Sequence, residues 1–185
     1  MTIKVTRLRQ RADQEWAAKL MASSEPWLTL GRGYADGMRL LRNPAKDCFL
    51  ICADGARAGF LILDLHGPLG GYLQTIGVSP GMRGRGIGTA ALQWAERRVF
   101  KSHRNLLLCV SAFNRRAAAL YRRLGYEKVG CLRDYVVAGH DEFLLRKTPG
   151  PLASVEGPAP AGPRPVRRRA LQKSTRRQKG MSLDR

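Results

Sequence analysis

The sequence predicts an α+β (mixed α/β) fold, a mixed central sheet of strands with helices on its faces. Three observations carry this. Short alternating or wholly apolar runs, bounded by turn residues, read as strands. Stretches with apolar residues at helical spacing lie between them. One run, "NLLLCV", is almost entirely apolar, as expected of a strand covered on both faces and entered by a crossover helix.

Taken in order, "TIKVTRL" alternates like an edge strand. Helical spacing follows from Asp13 to Met21 and again from about Gly33 to Leu41, ending before Asn43-Pro44. "CFLICADGARAGFLILDL" reads as two strands about an Asp54-Gly55 hairpin turn, and "GYLQTIGV" as a fourth strand. After a glycine-rich turn, Ile87, Ala91, Trp94 and Ala95 mark the buried face of a helix reaching about Phe100. The apolar strand comes next, then a helix from Asn114 to Leu124 with Ala117, Leu120, Tyr121 and Leu124 near one face and Gly125 as its stop. "YEKVGCL" and "DEFLLRK" close as two strands. The outline order is βααββββαβαββ.

The chain has 185 residues, enough for one medium domain with an appendage, and its 44% hydrophobic content supports a core. We divide it into residues 1–148, the folded domain, and residues 149–185, a Pro/Gly-rich basic tail expected to be disordered. Of the net charge of +19, a disproportionate share falls in that tail, in "RRRALQKSTRRQKG". Such a field attracts polyanions and says nothing of fold. Cys48, Cys52, Cys109 and Cys131 form no CxxC pair, and no metal is expected. Free thiols, no signal-like start and no apolar run of the roughly 18 residues that span a bilayer lead us to expect a soluble cytoplasmic protein with no membrane partner.

"VSPGMRGRGIGTA" joins a strand to a helix with glycines and arginines. Gly86 to Ala91 matches the GxGxxA dinucleotide fingerprint. The acidic residue that pattern wants about 20 positions on is missing, and the preceding strand is not the first of a βαβ unit. A Walker loop is excluded because no GK[ST] follows. The spacing Arg83-x-x-Gly86-x-Gly88 suits a pyrophosphate instead. Glycines let backbone N–H groups approach, the helix adds its positive end, and Arg83 and Arg85 add charged donors.

With these residues the sequence resembles the GNAT superfamily of acetyl-CoA-dependent N-acetyltransferases, whose signature [RQ]-x-x-G-x-[GA] is met by "RGRGIG". "NRRAAALYRRLGY" is similar to the family's second motif through Asn114, Ala117, Leu120, Tyr121, Gly125 and Tyr126. The resemblance covers roughly residues 2–148 and is closest in pattern to ribosomal-protein alanine N-acetyltransferases. It implies a sheet of six to seven strands, splayed between the fourth and fifth, with a bulge for which Gly77 is a suitable place.

The resemblance also implies roles. Backbone groups of Ile76, Gly77 and Val78 would bind the pantetheine arm of acetyl-CoA. Its pyrophosphate would sit on Arg83, Gly84, Arg85, Gly86, Ile87, Gly88 and Thr89. Asn114 would bind the cofactor's arm, cap its helix, or both. Tyr121 would be the general acid that protonates the leaving thiolate. The glutamate often found on the relatives' fifth strand is replaced by Cys109, read here as a buried structural thiol rather than a nucleophile. That leaves the base open between Glu142, His140 and a water held by Gln74, Ser111 and backbone carbonyls. For the acceptor, Tyr135 would orient a peptide, and Trp27 and Leu28 would wall the pocket or simply pack their loop on the sheet.

The expected activity is transfer of an acetyl group to a primary amine, a protein N-terminus, a lysine or a small molecule, in a ternary complex. The rival is a GNAT-fold binding module tethered to RNA or the ribosome by the tail. The tail itself reads equally as a non-specific RNA or ribosome contact or as a solubilising extension without a partner.

Overall fold

The computed structural model describes residues 1–67 and 70–152. The sequence's period-two runs become β1 (Ile3–Arg7), β2 (Asp47–Ala53), β3 (Ala56–Gly67), β4 (Gly70–Val78), β5 (Leu106–Ser111), β6 (Glu127–Val137) and β7 (His140–Lys147). The helical stretches become α1 (Arg11–Ala22), α2 (Tyr34–Leu41), α3 (Ile87–Val99) and α4 (Arg115–Arg123), with one 3₁₀ turn at Pro80–Met82. Three strands, not the four of the outline order, separate α2 from α3. The second arm of the hairpin runs unbroken for 12 residues, so no room is left for a further strand before Gly70.

The strands form one sheet in the order β1-β2-β3-β4-β5-β7-β6. All neighbours are antiparallel except β4 and β5, which α3 connects as a parallel crossover. The Asp54-Gly55 turn has φ of 48° and 83°, the two left-handed positions of a tight hairpin.

Alternation along the central strands divides the core in two. Phe49, Ile51, Leu61 and Leu63 face α3 and α4, where Ile87, Ala91, Leu92, Ala95 and Val99 pack on them. Cys48, Leu50, Phe60 and Ile62 face α1 and α2, against Ala17, Ala18, Met21, Met38 and Leu41. Each fully buried large aliphatic contributes roughly 1.5–3 kcal/mol, so both faces of β2 and β3 anchor the sheet.

Asp47 adds a polar clasp, bonding Arg7 on β1 and Arg98 on α3 at 2.5 and 3.3 Å. All four cysteines are free thiols. No helix among the described residues is long and apolar enough to cross a membrane. The described residues all belong to one compact unit. The basic tail read from residue 149 lies, after Leu152, outside the described residues.

Candidate active site

The sheet parts where a ligand would need it to. β4 and β5 pair only through Gly71, Tyr72 and Leu73 against Leu106, Leu107 and Leu108. Beyond them β4 continues to Val78 bonded to β3 alone, so one edge of Gln74–Val78 has no strand beside it. The bulge that bends β4 away is at Gln74, since Ile62 faces Thr75 while Leu63 faces Leu73. This corrects the assignment to Gly77, which pairs regularly with Phe60. Gly77 is needed for close packing instead. A Cβ there would lie 2.7 Å from the Phe60 ring and 2.9 Å from the Trp27 ring.

The parted strands open a cleft of about 1330 Å³. Ile76, Gly77, Val78, Arg83, Gly84, Gly86, Ile87, Gly88, Thr89, Asn114, Tyr121, Trp27, Tyr135 and Glu142 all line it, so the structure brings together residues spread across most of the domain. Arg85, between two left-handed glycines, is exposed and does not line the cleft.

At one end is the glycine turn. Gly84 and Gly86 hold φ of 80° and 77°, and Gly86 caps α3 without a side chain to satisfy it. The first N–H groups of α3 have no intrahelical acceptor and carry the positive end of its dipole. Arg83 folds over the turn and its Nε donates to the Val78 carbonyl at 3.0 Å. Arg116, which the sequence reading missed, reaches across from α4. Its Nη2 would lie 4.0 Å from a Cβ on Gly84. Arg83, Arg116 and the first turn of α3 all line the cleft, so two arginines and a helix end share one concavity.

α4 supplies the wall. The Asn114 side chain accepts from the Ala117 N–H at 3.2 Å, so its capping role is present. The helix closes with Gly125 at φ 83° and paired bonds from Tyr126 N–H to the Tyr121 carbonyl and Gly125 N–H to the Arg122 carbonyl. That closure turns the Tyr126 ring edge-on to Tyr121, 5.7 Å between centroids. Tyr121 is 6% exposed, and burial pushes its phenol well above the usual tyrosine range. It therefore holds its proton at any physiological pH.

The far end is built from strand side chains. Glu142, 4% exposed, accepts a hydrogen bond from Ser111 Oγ at 2.5 Å. Burial raises its carboxyl above the ordinary range, and the serine partly opposes this. Cys109 is half-buried beside it, with its thiol also pushed up by burial, which suits a structural cysteine. Tyr72 stands across from both on β4 and was absent from the sequence reading.

His140 does not join them. It sits at the start of β7, stacked edge-on against Phe113 at 5.2 Å, beside a separate small hollow. Trp27 packs on Phe60 at 5.8 Å and lines the cleft as well, so both of its readings hold. Leu28 is 53% exposed and does not line the cleft. Tyr135 is 62% exposed at the rim. Among the described residues no group of three or more His, Cys, Asp or Glu could hold a metal.

Comparison with known proteins agrees with this geometry. The pattern of the "Acetyltransferase (GNAT) family" matches residues 6–126. The N-alpha-acetyltransferase RimI of Mycobacterium tuberculosis is 31% identical over 150 residues, spanning 79% of this chain and 90% of that protein. Two solved structures share the fold. The ribosomal-protein-S18-alanine N-acetyltransferase of Escherichia coli superposes with a TM-score of 0.65 at 22% identity, over 80% of this chain and 94% of that one. Spermidine N-acetyltransferase of Vibrio cholerae, solved with CoA and spermine, gives 0.63 at 17% identity, over 79% and 95%.

Proposed function

The chain belongs to the GNAT acetyltransferase family, and on that premise we propose that this N-acetyltransferase moves the acetyl group of acetyl-CoA directly to the α-amine of a peptide or protein N-terminus. The observation that carries the reading is the unpaired edge of Gln74–Val78, which lines one cleft with the arginine-flanked turn and buried Tyr121. Each part of acetyl-CoA would find a partner along that cleft. The pyrophosphate would rest on the N–H groups of α3's first turn, with Arg83 and Arg116 beside it. The pantetheine amides would bond Ile76–Val78 as a missing strand would, and the thioester would lie near Tyr121.

In the ternary complex the acceptor amine attacks the thioester carbonyl without an acyl-enzyme. Tyr121, still protonated, gives its proton to the departing sulfur. Choice of an α-amine is supported by the N-alpha-acetyltransferase relative, and by chemistry: an α-amine has a pKa of about 8, so a useful fraction is neutral near pH 7. Tyr135, at the rim, and Trp27, beside Gly77, would meet the peptide as it enters. We read residues 149–185 as an appendage outside this chemistry. Their removal is expected to leave transfer unchanged and to weaken retention on RNA.

The test is calorimetric titration of the full chain with acetyl-CoA, followed by CoA release with an alanine-initiated peptide, an N-terminally blocked lysine peptide and spermidine. Micromolar binding and preference for the free α-amine are expected. Absence of acetyl-CoA binding by folded protein overturns the reading, and preference for spermidine or lysine overturns the acceptor class.

A further inference from the structure

An amine that attacks a carbonyl must shed a proton, and the reading above names no group to receive it. Resting on that reading, we propose that Glu142 is the general base, accepting the amine's proton on Oε2 directly or through one water, with Ser111 as its positioning residue.

Strand register puts the carboxylate in place. In the antiparallel β5–β7 pair Ser111 lies opposite Glu142, and Cys109 opposite Leu144. Paired residues share a face, as do residues two apart on one strand. Glu142, Ser111 and Cys109 accordingly all line the same cleft. A carboxylate carried on β7 thus serves the face on which β5 presents only a thiol and a hydroxyl.

Charge pairing singles out the same residue. Two carboxylates are buried among the described residues, Glu96 and Glu142. Of these two buried carboxylates, Glu96 meets Lys147 at 2.7 Å. Glu142 has a serine alone. Burying a carboxylate without a cation is costly, and in so basic a chain a structural role would have recruited one. The groups that face it are Ser111 and Cys109 from β5 and Tyr72 from β4, all neutral, with Leu132 opposite it on β6 and Tyr135 farther along that strand.

Burial raises the carboxyl toward the pH at which an amine is handed over, the condition for an efficient base. Two neighbouring titratable groups lack one requirement each, and a water held by Gln74 and Ser111 would relay the proton to Glu142 rather than replace it. Cys109 keeps its proton because burial raises its thiol, and His140 is outside the cleft.

The step balances. The amine nitrogen bonds the acetyl carbon and the carbon–sulfur bond breaks. One amine proton passes to Glu142 and the Tyr121 proton to sulfur. Exchange with solvent then returns both residues to their starting states, leaving amide and free CoA.

The experiment compares the full chain with Glu142→Gln and Ser111→Ala, measuring acetyl-CoA affinity and the pH profile of transfer to an alanine-initiated peptide. Glu142→Gln is expected to bind acetyl-CoA within about twofold of the parent and to lose about 10²-fold in kcat. Its rate should follow deprotonation of the amine, without the parent's acid limb. Ser111→Ala should lower kcat less than Glu142→Gln does and move the acid limb to higher pH, because the hydroxyl orients the carboxylate and favours its charged form. If Glu142→Gln keeps the parent's kcat and profile, the base lies elsewhere and the functional reading survives. If Glu142→Gln does not fold, an unmoved acid limb in Ser111→Ala overturns the proposal. A parent that binds acetyl-CoA but acetylates none of the amines overturns the reading and the base together.

Discussion

The two ends of the cleft are made of different materials. The turn end is backbone: exposed glycines at positive φ, helix N–H groups and arginines that need only lie nearby. The remainder is side chain: Tyr121 on the α4 wall with Glu142, Ser111, Cys109 and Tyr72 on the strands, contributed by four separate elements. A backbone cradle tolerates loose cations, because charge acts at a distance. Proton transfer does not, because donor and acceptor must meet within hydrogen-bond reach. The difference predicts that the ends fail separately, one in affinity and the other in turnover.

The largest separation is expected from Tyr121→Phe. It should lower kcat about 10²-fold or more while acetyl-CoA affinity, measured calorimetrically, stays put. Equal loss in both quantities would mean that the phenol is a packing residue and that the two ends are one unit.

Reversing charge at the other end, Arg83→Glu with Arg116→Glu, should weaken acetyl-CoA binding by roughly 10- to 100-fold at low salt: charge-assisted hydrogen bonds are worth about 1.5–3 kcal/mol each when desolvated, and solvent screening at these two exposed side chains cuts the pair to about 1.4–2.7 kcal/mol. Saturating kcat should change little. Arg85→Glu is the control: outside the cleft, it should shift affinity by well under either partner's share, and an equal shift would place Arg85 at the phosphates after all.

Gly77→Ala tests the span between the ends. The added methyl meets the Phe60 and Trp27 rings, and overpacking of this kind costs about 1–3 kcal/mol. A lowered melting temperature with parallel, modest losses in affinity and turnover would show that this stretch serves both.

The same contrast decides what could be read from sequence. The hairpin at Asp54-Gly55, the stop at Gly125 and the glycine turn were legible because each is a local backbone demand that few residue types meet. The bulge was not. Glycine signals a bulge and a tight contact alike, and only the pairing of β4 with β3 reveals that Gln74 is the extra residue. Of the arginines on α4, Arg115, Arg116, Arg122 and Arg123, sequence could not choose which faces the turn, since that depends on how the helix is rotated on the sheet. Glu142 and His140 were equal candidates for a similar reason. They sit two residues apart on β7, and their separation depends on the strand starting at His140, where Phe113 captures the imidazole.

The short seam between β4 and β5 has a consequence for the lifetime of the protein. Where strands part, amides that would be protected in a full sheet exchange with water, and local opening is easiest there. A ligand that bonds this edge binds the folded chain and not the unfolded one. At a hundredfold excess over its dissociation constant it adds about 2.7 kcal/mol to the stability of the fold. Cells rich in the acetyl donor would then hold more of this chain intact against proteolysis than starved ones, so that abundance would follow metabolic state with no dedicated regulator.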